Sequence, residues 1–309
     1  MTPVGRPVRV TSISFANGPQ LAEITSVVRT EAARGTDLVV LPETWLGLGE
    51  GTAESVDGPA VTALSALARE FGTWIVCPID RLAGDRRFNS AVVLDRNGQV
   101  AGIYDKLYPY WAELDLEPPV TIGDAPLVID TDFGRIGVTI CFDVNFPEIW
   151  QQMADQGVEL VLWPSAYSGG HALQAYAILH HYAIVSATQS GDCQVYDITG
   201  NLLLDETASG IAVSRITLDL DRGIYHHNFN LARRDQLLQD HGDVIEQEAF
   251  FPRHHWFVLR ATAPGVSARD LAQDYGLEEL REYKRRSRHQ IDDLRLNQNK
   301  ASLSSVARS

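Results

Sequence analysis

The sequence lacks any apolar run long enough to span a bilayer, and its first residues include no apolar segment of the signal-peptide type. We therefore expect neither membrane association nor export. Cysteine is also scarce, because the 309 residues include only Cys77, Cys141 and Cys193. Three cysteines do not make a disulfide framework, so we expect a protein of the reducing cytoplasm.

Positive charge is in the minority, and the formal net charge is −14 at pH 7. This balance disfavours binding to nucleic acid or to an anionic membrane. The chain has no glycine-rich phosphate loop, and its paired histidines lack the spacing of zinc ligands. We therefore expect no metal and no other cofactor.

Lysine is the rarest basic residue, and Lys106 is the only one that precedes the C-terminal region. Arginine takes every other basic position before Lys284. A lysine in such a background is a poor fit to an ordinary surface role, because an arginine would serve a solvated position equally well.

The most informative stretch is Gly134–Glu148. Its residues 136–140 form an apolar, largely β-branched run that predicts a buried strand, and the run ends at Cys141. Pro147 suits the first turn of a helix. Ile149, Trp150 and Met153 would share one face of that helix. Cys141 is therefore predicted at a strand-to-helix turn, where backbone N–H groups point at whatever reacts with the thiol.

Strands and helices alternate through the rest of the first 220 residues, which predicts a layered α/β domain with parallel and antiparallel strands. Glu43 follows a continuous apolar strand over 37–42, and Lys106 follows a strand over 100–105. Helices are predicted over 20–34 and 59–71, and Asp95–Gly98 predicts a hairpin turn between strands at 89–94 and 100–105.

The domain is predicted to span residues 1–222, and residues 223–309 form a C-terminal extension. Residues 222–265 have weak periodicity and are expected to be irregular. Residues 267–296 have helical spacing with Ser267 as a candidate N-cap, and the polar residues 297–309 are expected to be disordered. Two interpretations of the extension remain open: an arm that packs on a partner subunit, or extra surface helices.

Glu43, Lys106 and Cys141 each stand at the C-terminal end of a predicted strand, the usual place for a site in a layered α/β fold. A thiol with an ordinary pKa of about 8.5 needs a base, and a carboxylate can take its proton. An ammonium group can stabilise the oxyanion that forms when a thiolate attacks a carbonyl or nitrile carbon. These three residues therefore suffice for nucleophilic catalysis.

Three motifs, in this order, resemble those of the carbon–nitrogen hydrolase (nitrilase) superfamily. They are Leu41-Pro42-Glu43, Tyr104-Asp105-Lys106-Leu107, and Gly137–Asp143 followed by Phe146-Pro147-Glu148. The resemblance covers residues 8–220. It implies a four-layer αββα sandwich, here with a C-terminal helical extension, and a Glu-Lys-Cys triad.

The resemblance also implies roles for individual residues. Glu43 would be the general base, Lys106 the oxyanion stabiliser and Cys141 the nucleophile, with the backbone N–H of Phe142 as a second oxyanion donor. Many members carry another glutamate soon after the lysine. Two residues compete for this position here, and Glu113 fits the family spacing better than Glu117.

Residues that follow the nucleophile bear on the substrate. Members that cleave N-carbamoyl amino acids commonly place arginines two to four residues after the cysteine, whereas this chain has Asp143, Val144 and Asn145. The sequence therefore disfavours an α-carboxylate and favours an uncharged amide or one with an apolar or cationic tail. Three aromatic residues are expected in the pocket wall: Trp111, Trp163 and Tyr167.

The resemblance implies a thiol-dependent hydrolase that converts a small-molecule carboxamide to an acid and ammonia or an amine through a thioester. An N-carbamoyl amine amidohydrolase and a nitrilase are the alternatives within the family. A soluble acyltransferase that uses the same thioester and a non-catalytic scaffold are alternatives of other classes. We also expect a homodimer or a larger homo-oligomer.

Overall fold

The computed structural model describes residues 2–16 and 18–306, with side chains described as far as residue 298. The chain divides into two compact units. One unit is Pro7–Leu220, and the other combines the segment that ends at Arg6 with the segment that begins at Asp221. In the described part of the chain, no helix has both the length and the apolar character that crossing a bilayer requires.

The unit Pro7–Leu220 contains strands and helices in alternation. Its strands are β1 (Pro7–Ser14), β2 (Leu38–Val40), β3 (Trp74–Ala83), β4 (Arg86–Leu94), β5 (Val100–Asp105), β6 (Leu127–Asp130), β7 (Arg135–Val138), β8 (Leu160–Ser165), β9 (Ala183–Thr188), β10 (Asp192–Tyr196), β11 (Leu202–Thr207) and β12 (Ala212–Asp219). Its helices are α1 (Leu21–Ala32), α2 (Pro59–Phe71), α3 (Trp111–Leu114), α4 (Pro147–Asp155) and α5 (His171–His180), and one 3-10 turn spans Cys141–Asn145.

The strands form two six-stranded sheets of the same design, ordered β12-β1-β2-β3-β4-β5 and β11-β10-β9-β8-β7-β6. In the first, β1, β2 and β3 are parallel neighbours, and antiparallel strands complete both sides. In the second, β7, β8 and β9 take the parallel positions. Two equivalent halves therefore build this unit, although the sequence contains no recognisable internal repeat.

Helices cover the outer face of each sheet, so the unit has four layers. Side chains of α1 and α2, such as Ile24 and Leu64, share a buried cluster with Val39 and Ile75 of the first sheet. The inner face of that sheet joins the second sheet in another cluster, which also contains the buried face of α4. This arrangement confirms the predicted αββα architecture and explains the continuously apolar strands, which are buried on both faces.

Local sequence signals account for several element boundaries. Helix α2 begins at Pro59 and ends before Gly72, whose φ of 62° is the left-handed conformation that favours glycine. The predicted hairpin joins β4 to β5, and a Cβ atom at Gly98 would lie 2.2 Å from the Ser65 carbonyl oxygen. Helix α4 buries Ile149, Trp150 and Met153, which confirms the predicted apolar face.

The second unit corrects the prediction that residues 222–265 are irregular. Its elements are β13 (Gly223–His226), α6 (Leu231–His241), β14 (Ile245–Phe251), β15 (Trp256–Ala261), α7 (Ala268–Asp274) and α8 (Leu280–Val306). The strands form an antiparallel sheet, β13-β15-β14, and Phe257 and Leu259 of its central strand pack against Tyr225 and Leu237. The longest of these strands, β14, completely buries only one of its seven residues, so its sequence lacks a clear apolar period.

Residues 267–296, which were predicted to be helical, contribute to two separate helices. Ser267 caps α7 as expected, since its Oγ accepts a hydrogen bond from the Asp270 N–H at 3.1 Å. Helix α8 extends to Val306, so the prediction of disorder is wrong for residues 297–306. Residues 307–309, to which the same prediction applies, lie outside the described residues.

Candidate active site

A cavity of about 730 Å³ opens in the unit Pro7–Leu220, at the C-terminal ends of strands from both sheets. It is lined by Glu43, Thr44, Leu48, Lys106, Tyr110, Ala112, Glu113, Leu116, Cys141, Phe142, Asn145, Ala166, Tyr167 and Gln189. The three residues that the sequence singled out for chemistry are therefore brought together here. Glu43 follows β2, Lys106 directly follows β5, and Cys141 begins the 3-10 turn after β7.

Lys106 lies between two carboxylates and is almost completely buried. Its Nζ donates to Glu43 Oε1 at 2.7 Å and to Glu113 Oε1 at 3.1 Å. Burial works to lower the pKa of Lys106, but the charges of Glu43 and Glu113 outweigh it and hold the pKa above its ordinary value. Lys106 is therefore protonated at neutral pH, and its two hydrogen bonds fix the ammonium group in place.

The second glutamate at the site is Glu113, whereas Glu117 is exposed and lines no part of the cavity. Asn89 of β4 donates through one Nδ2 to Glu43 Oε1 at 2.7 Å and to Glu113 Oε1 at 2.6 Å. The other oxygen of Glu113 accepts the backbone N–H of Tyr110 at 2.6 Å. The two carboxylates are thus held around one ammonium group by shared donors.

Glu43 keeps one oxygen free for proton transfer. Its Oε1 accepts hydrogen bonds from Lys106 and Asn89, while Oε2 is buried and has no hydrogen-bond partner among the described residues. A buried carboxylate oxygen without a donor is rare, because desolvation is then uncompensated. This atom is therefore the oxygen that can accept a proton at the site.

Cys141 is held in an uncommon backbone conformation, with φ at 48°. Burial raises the pKa of its thiol, and the charge of Glu43 raises it further, while Lys106 and the backbone N–H of Ala166 oppose the shift to a smaller extent. The resting cysteine is therefore a thiol, which needs a base at the moment of attack. Cys77 and Cys193 are buried in the core and do not line the cavity.

Of the three aromatic residues expected in the pocket wall, only Tyr167 lines the cavity. Trp111 points away and is 63% exposed, because Tyr110 and Glu113 occupy the cavity-facing side of this short helical turn. Trp163 is fully buried beneath the site, and its Nε1 donates to the Cys141 carbonyl oxygen at 3.2 Å. Trp111 and Trp163 therefore do not line the cavity, and the prediction that they form part of the pocket wall is wrong.

Sequence reasoning missed several residues that shape the site. Asn89 is one, and an asparagine within the apolar β4 is the signal that could have identified it. Gln189 is another, and its Nε2 donates to the Glu43 carbonyl oxygen at 2.6 Å. Tyr110 lines the cavity beside Glu113. Among the described residues, no group of three or more His, Cys, Asp or Glu side chains is arranged to hold a metal ion.

This arrangement has the parts that acyl transfer through a thiol requires. A buried thiol, a carboxylate oxygen that can accept a proton and a fixed ammonium group face one cavity. The burial of Lys106 strengthens the interaction of its ammonium group with any oxyanion that forms beside it.

Known proteins provide an independent comparison. The chain is 25% identical over 226 residues to the chloroplastic omega-amidase of Arabidopsis thaliana. This match covers 67% of this chain and 59% of that protein. It is 29% identical over 198 residues to the deaminated glutathione amidase of Yersinia enterocolitica, covering 55% of this chain and 68% of that enzyme. The match therefore spans only about three fifths of the Arabidopsis protein's length.

A solved structure shares the fold. The amidase from Nesterenkonia sp. superposes with a TM-score of 0.61 at 22% identity, over 71% of this chain and 92% of that chain. At this identity the similarity concerns the fold alone. A sequence model of the family described as carbon-nitrogen hydrolase matches residues 10–223, which include Glu43, Lys106 and Cys141. The chain belongs to the carbon-nitrogen hydrolase family.

Proposed function

We propose that this protein hydrolyses the carbon–nitrogen bond of a small-molecule carboxamide, releasing a carboxylic acid and ammonia or an amine. The observation that carries this proposal is the convergence of Glu43, Lys106 and Cys141 on one cavity, with the Lys106 Nζ 2.7 Å from Glu43 Oε1. The amidase names of the curated relatives agree with this reaction class.

The first half of the proposed reaction forms a thioester. The Cys141 sulfur attacks the amide carbon as its proton passes to Glu43 Oε2, the oxygen without another partner. The Lys106 ammonium group and the backbone N–H of Phe142 bind the oxyanion. The intermediate collapses when the carbon–nitrogen bond breaks, and the leaving nitrogen takes the proton from Glu43.

The second half releases the acid. Glu43 accepts a proton from water, and the resulting hydroxide attacks the thioester carbon. The carbon–sulfur bond breaks, and Cys141 recovers its proton from Glu43. Glu113 serves as a positioning residue in this scheme, because it accepts a second hydrogen bond from Lys106 and shares the Asn89 amide with Glu43.

The cavity wall favours an uncharged amide with an apolar tail. Apart from Glu113, the lining side chains outside the triad carry no charge, and they include the apolar or aromatic Leu48, Leu116, Phe142 and Tyr167 beside the amides of Asn145 and Gln189. Lys106 is the one cationic side chain among the described lining residues, and two carboxylates already neutralise it. A substrate carboxylate would therefore enter the cavity without a cation to pair with.

A matched panel of substrates tests both the reaction and the substrate class. Release of ammonia or amine should be measured for aliphatic and arylalkyl amides, for the same compounds with an added α-carboxylate, and for nitriles and N-carbamoyl amino acids. We expect saturable turnover of the uncharged amides, loss of turnover in Cys141→Ala, and retention in Cys193→Ala. Saturable turnover of N-carbamoyl amino acids would contradict the proposed substrate class.

Two further measurements distinguish the remaining alternatives. Product analysis with an added amine or alcohol would reveal an acyltransferase if the acyl group reached that nucleophile in preference to water. Absence of turnover across the panel, with binding of the same amides intact, would support a non-catalytic scaffold. We also propose that the protein is a homodimer or larger, and a monomer in light scattering would contradict this.

A further inference from the structure

Asp143 lies two residues after the nucleophile, and its side chain is completely buried. Both carboxylate oxygens are engaged. Oδ2 accepts the Tyr104 hydroxyl at 2.6 Å and the Ile140 N–H at 2.8 Å, and Oδ1 accepts the Tyr108 N–H at 3.0 Å. None of these groups lines the cavity, so the network lies behind the site and does not face a substrate.

Two of these donors flank Lys106 along the chain. Tyr104 belongs to β5, two residues before the lysine, and Tyr108 follows two residues after it. The Tyr104 hydroxyl also accepts the Leu107 N–H at 3.2 Å, so its own proton is directed to the carboxylate. The segment 104–108 is therefore tied to Asp143 on both sides of Lys106.

The third donor belongs to the nucleophile turn itself. Ile140 directly precedes Cys141, and its N–H bonds to the Asp143 side chain while the Asp143 N–H bonds back to the Ile140 carbonyl oxygen at 3.0 Å. Two indole N–H groups support the same turn, from Trp150 to the Asp143 carbonyl oxygen and from Trp163 to that of Cys141. These contacts maintain the left-handed φ of Cys141.

We propose that the Asp143 carboxylate, together with the Tyr104 hydroxyl, positions the two reacting side chains relative to each other by joining the Lys106 segment to the Cys141 turn. Lys106 follows a strand of the first sheet and Cys141 follows a strand of the second, and the aromatic contacts Tyr108–Phe146 and Tyr110–Phe142 also join the two segments but carry no hydrogen bond between them. The inference rests on the proposed function for its catalytic meaning. Asp143 and Tyr104 are positioning residues here, since neither touches a substrate.

Substitution of Asp143 by asparagine would break this link at a defined point. The amide oxygen can still accept two donors, but the amide nitrogen must then face the third N–H or O–H donor. A displacement of about 1 Å at a reacting group can cost about 100-fold in rate, so we expect kcat of Asp143→Asn to fall by about that factor, with KM changed less than threefold. Tyr104→Phe removes one bond and should lower kcat by about 10-fold.

The reactivity of Cys141 provides a measurement that does not depend on amide turnover. Lys106 lowers the pKa of the thiol, so displacement of Lys106 leaves less thiolate at any given pH. Alkylation of Cys141 by N-ethylmaleimide, followed by mass spectrometry of the labelled peptide, should therefore be several-fold slower in both variants across the alkaline range. Simple loosening of the site would instead make alkylation faster.

Tyr196→Phe is the matched control, because it removes another buried tyrosine hydroxyl, one that donates to the Gly170 carbonyl oxygen at 3.1 Å, and because Tyr196 does not line the cavity. We expect wild-type kcat and alkylation rates for this variant. If Asp143→Asn does not fold, Tyr104→Phe carries the test alone.

Variants with kcat within threefold of wild type and unchanged or faster alkylation would overturn the positioning role. Wild-type protein without turnover of any amide would contradict the proposed function instead, and the alkylation rates would still decide whether Asp143 and Tyr104 position Lys106 beside Cys141.

Discussion

Substitution of Glu43 by glutamine tests the proposed base with little disturbance of its surroundings. The amide oxygen of glutamine can take the place of Oε1, which accepts Lys106 and Asn89 at 2.7 Å each. The amide nitrogen then replaces Oε2, the oxygen that has no partner among the described residues. The variant therefore retains the hydrogen bonds of the site and loses the atom that accepts the thiol proton.

The expected magnitudes follow from these contacts. General base catalysis contributes about 10²–10⁴-fold, so kcat should fall by at least about 100-fold, which corresponds to about 2.7 kcal/mol. Stability should change by only about 1 kcal/mol, since Glu113 still neutralises the buried Lys106 after the Glu43 charge is removed. A large loss of activity with a small loss of stability distinguishes a catalytic role from a structural one.

The assay is steady-state release of ammonia or amine, with the free energy of unfolding measured in urea on the same preparations. Glu31→Gln is the matched control, because Glu31 is another buried glutamate paired with a cation, Arg215, and it does not line the cavity. We expect this control to lose stability and keep its kcat. A Glu43→Gln variant with activity within tenfold of wild type would refute the assignment of Glu43 as the base.

Three further predictions concern Lys106, Glu113 and Asp143. Lys106→Met leaves Glu43 and Glu113 buried without a cation, so the free energy of unfolding in urea should fall by about 3–5 kcal/mol. The kcat should fall by at least about 100-fold, and an unchanged unfolding midpoint would contradict this prediction. Glu113→Gln should lower kcat by at least about 10-fold, whereas substitution of the exposed Glu117 by glutamine should leave kcat at the wild-type value. Equal kcat values for the two variants would show that Glu113 does not position Lys106 for the reaction. Burial raises the pKa of Asp143 in the folded protein to about 7, whereas an aspartate in the unfolded chain has a pKa of about 4. Protonation of Asp143 therefore stabilises the fold fully below about pH 4. This stabilisation is lost as the pH rises from about 4 to 7, at about 1.4 kcal/mol per pH unit. Urea denaturation should show this slope in wild type relative to Asp143→Asn, and a pH-independent difference would contradict it.

The catalytic candidates could be predicted because their signals are local. Glu43, Lys106 and Cys141 each follow an apolar strand, and the ends of strands in a layered α/β fold meet at one edge. The choice of Glu113 over Glu117 depended on the resemblance to the family alone. In the structure, three donors converge on the Glu113 carboxylate, whereas Glu117 is exposed.

The remaining parts of the site depend on contacts between distant residues, which no local pattern contains. Asn89 bridges two carboxylates that are 46 and 24 residues away from it in the sequence. The direction of an aromatic side chain is equally non-local. Trp163 lies under the nucleophile turn although it is 22 residues from Cys141 in the sequence, and Trp111 faces solvent although it follows Lys106 by only a few residues. The sheet of the second unit was missed because β14 is mostly half-buried or exposed and therefore lacks a clear apolar pattern.

The most direct test of the central claim is the mass of the intact protein after acid quenching during amide turnover. We predict that an uncharged amide adds the mass of its acyl group to the wild type and to Cys193→Ala, and that Cys141→Ala remains unmodified. Peptide mapping should place the adduct on Cys141. An adduct that persists in Cys141→Ala, or turnover that survives this substitution, would contradict the account of Cys141 as the nucleophile.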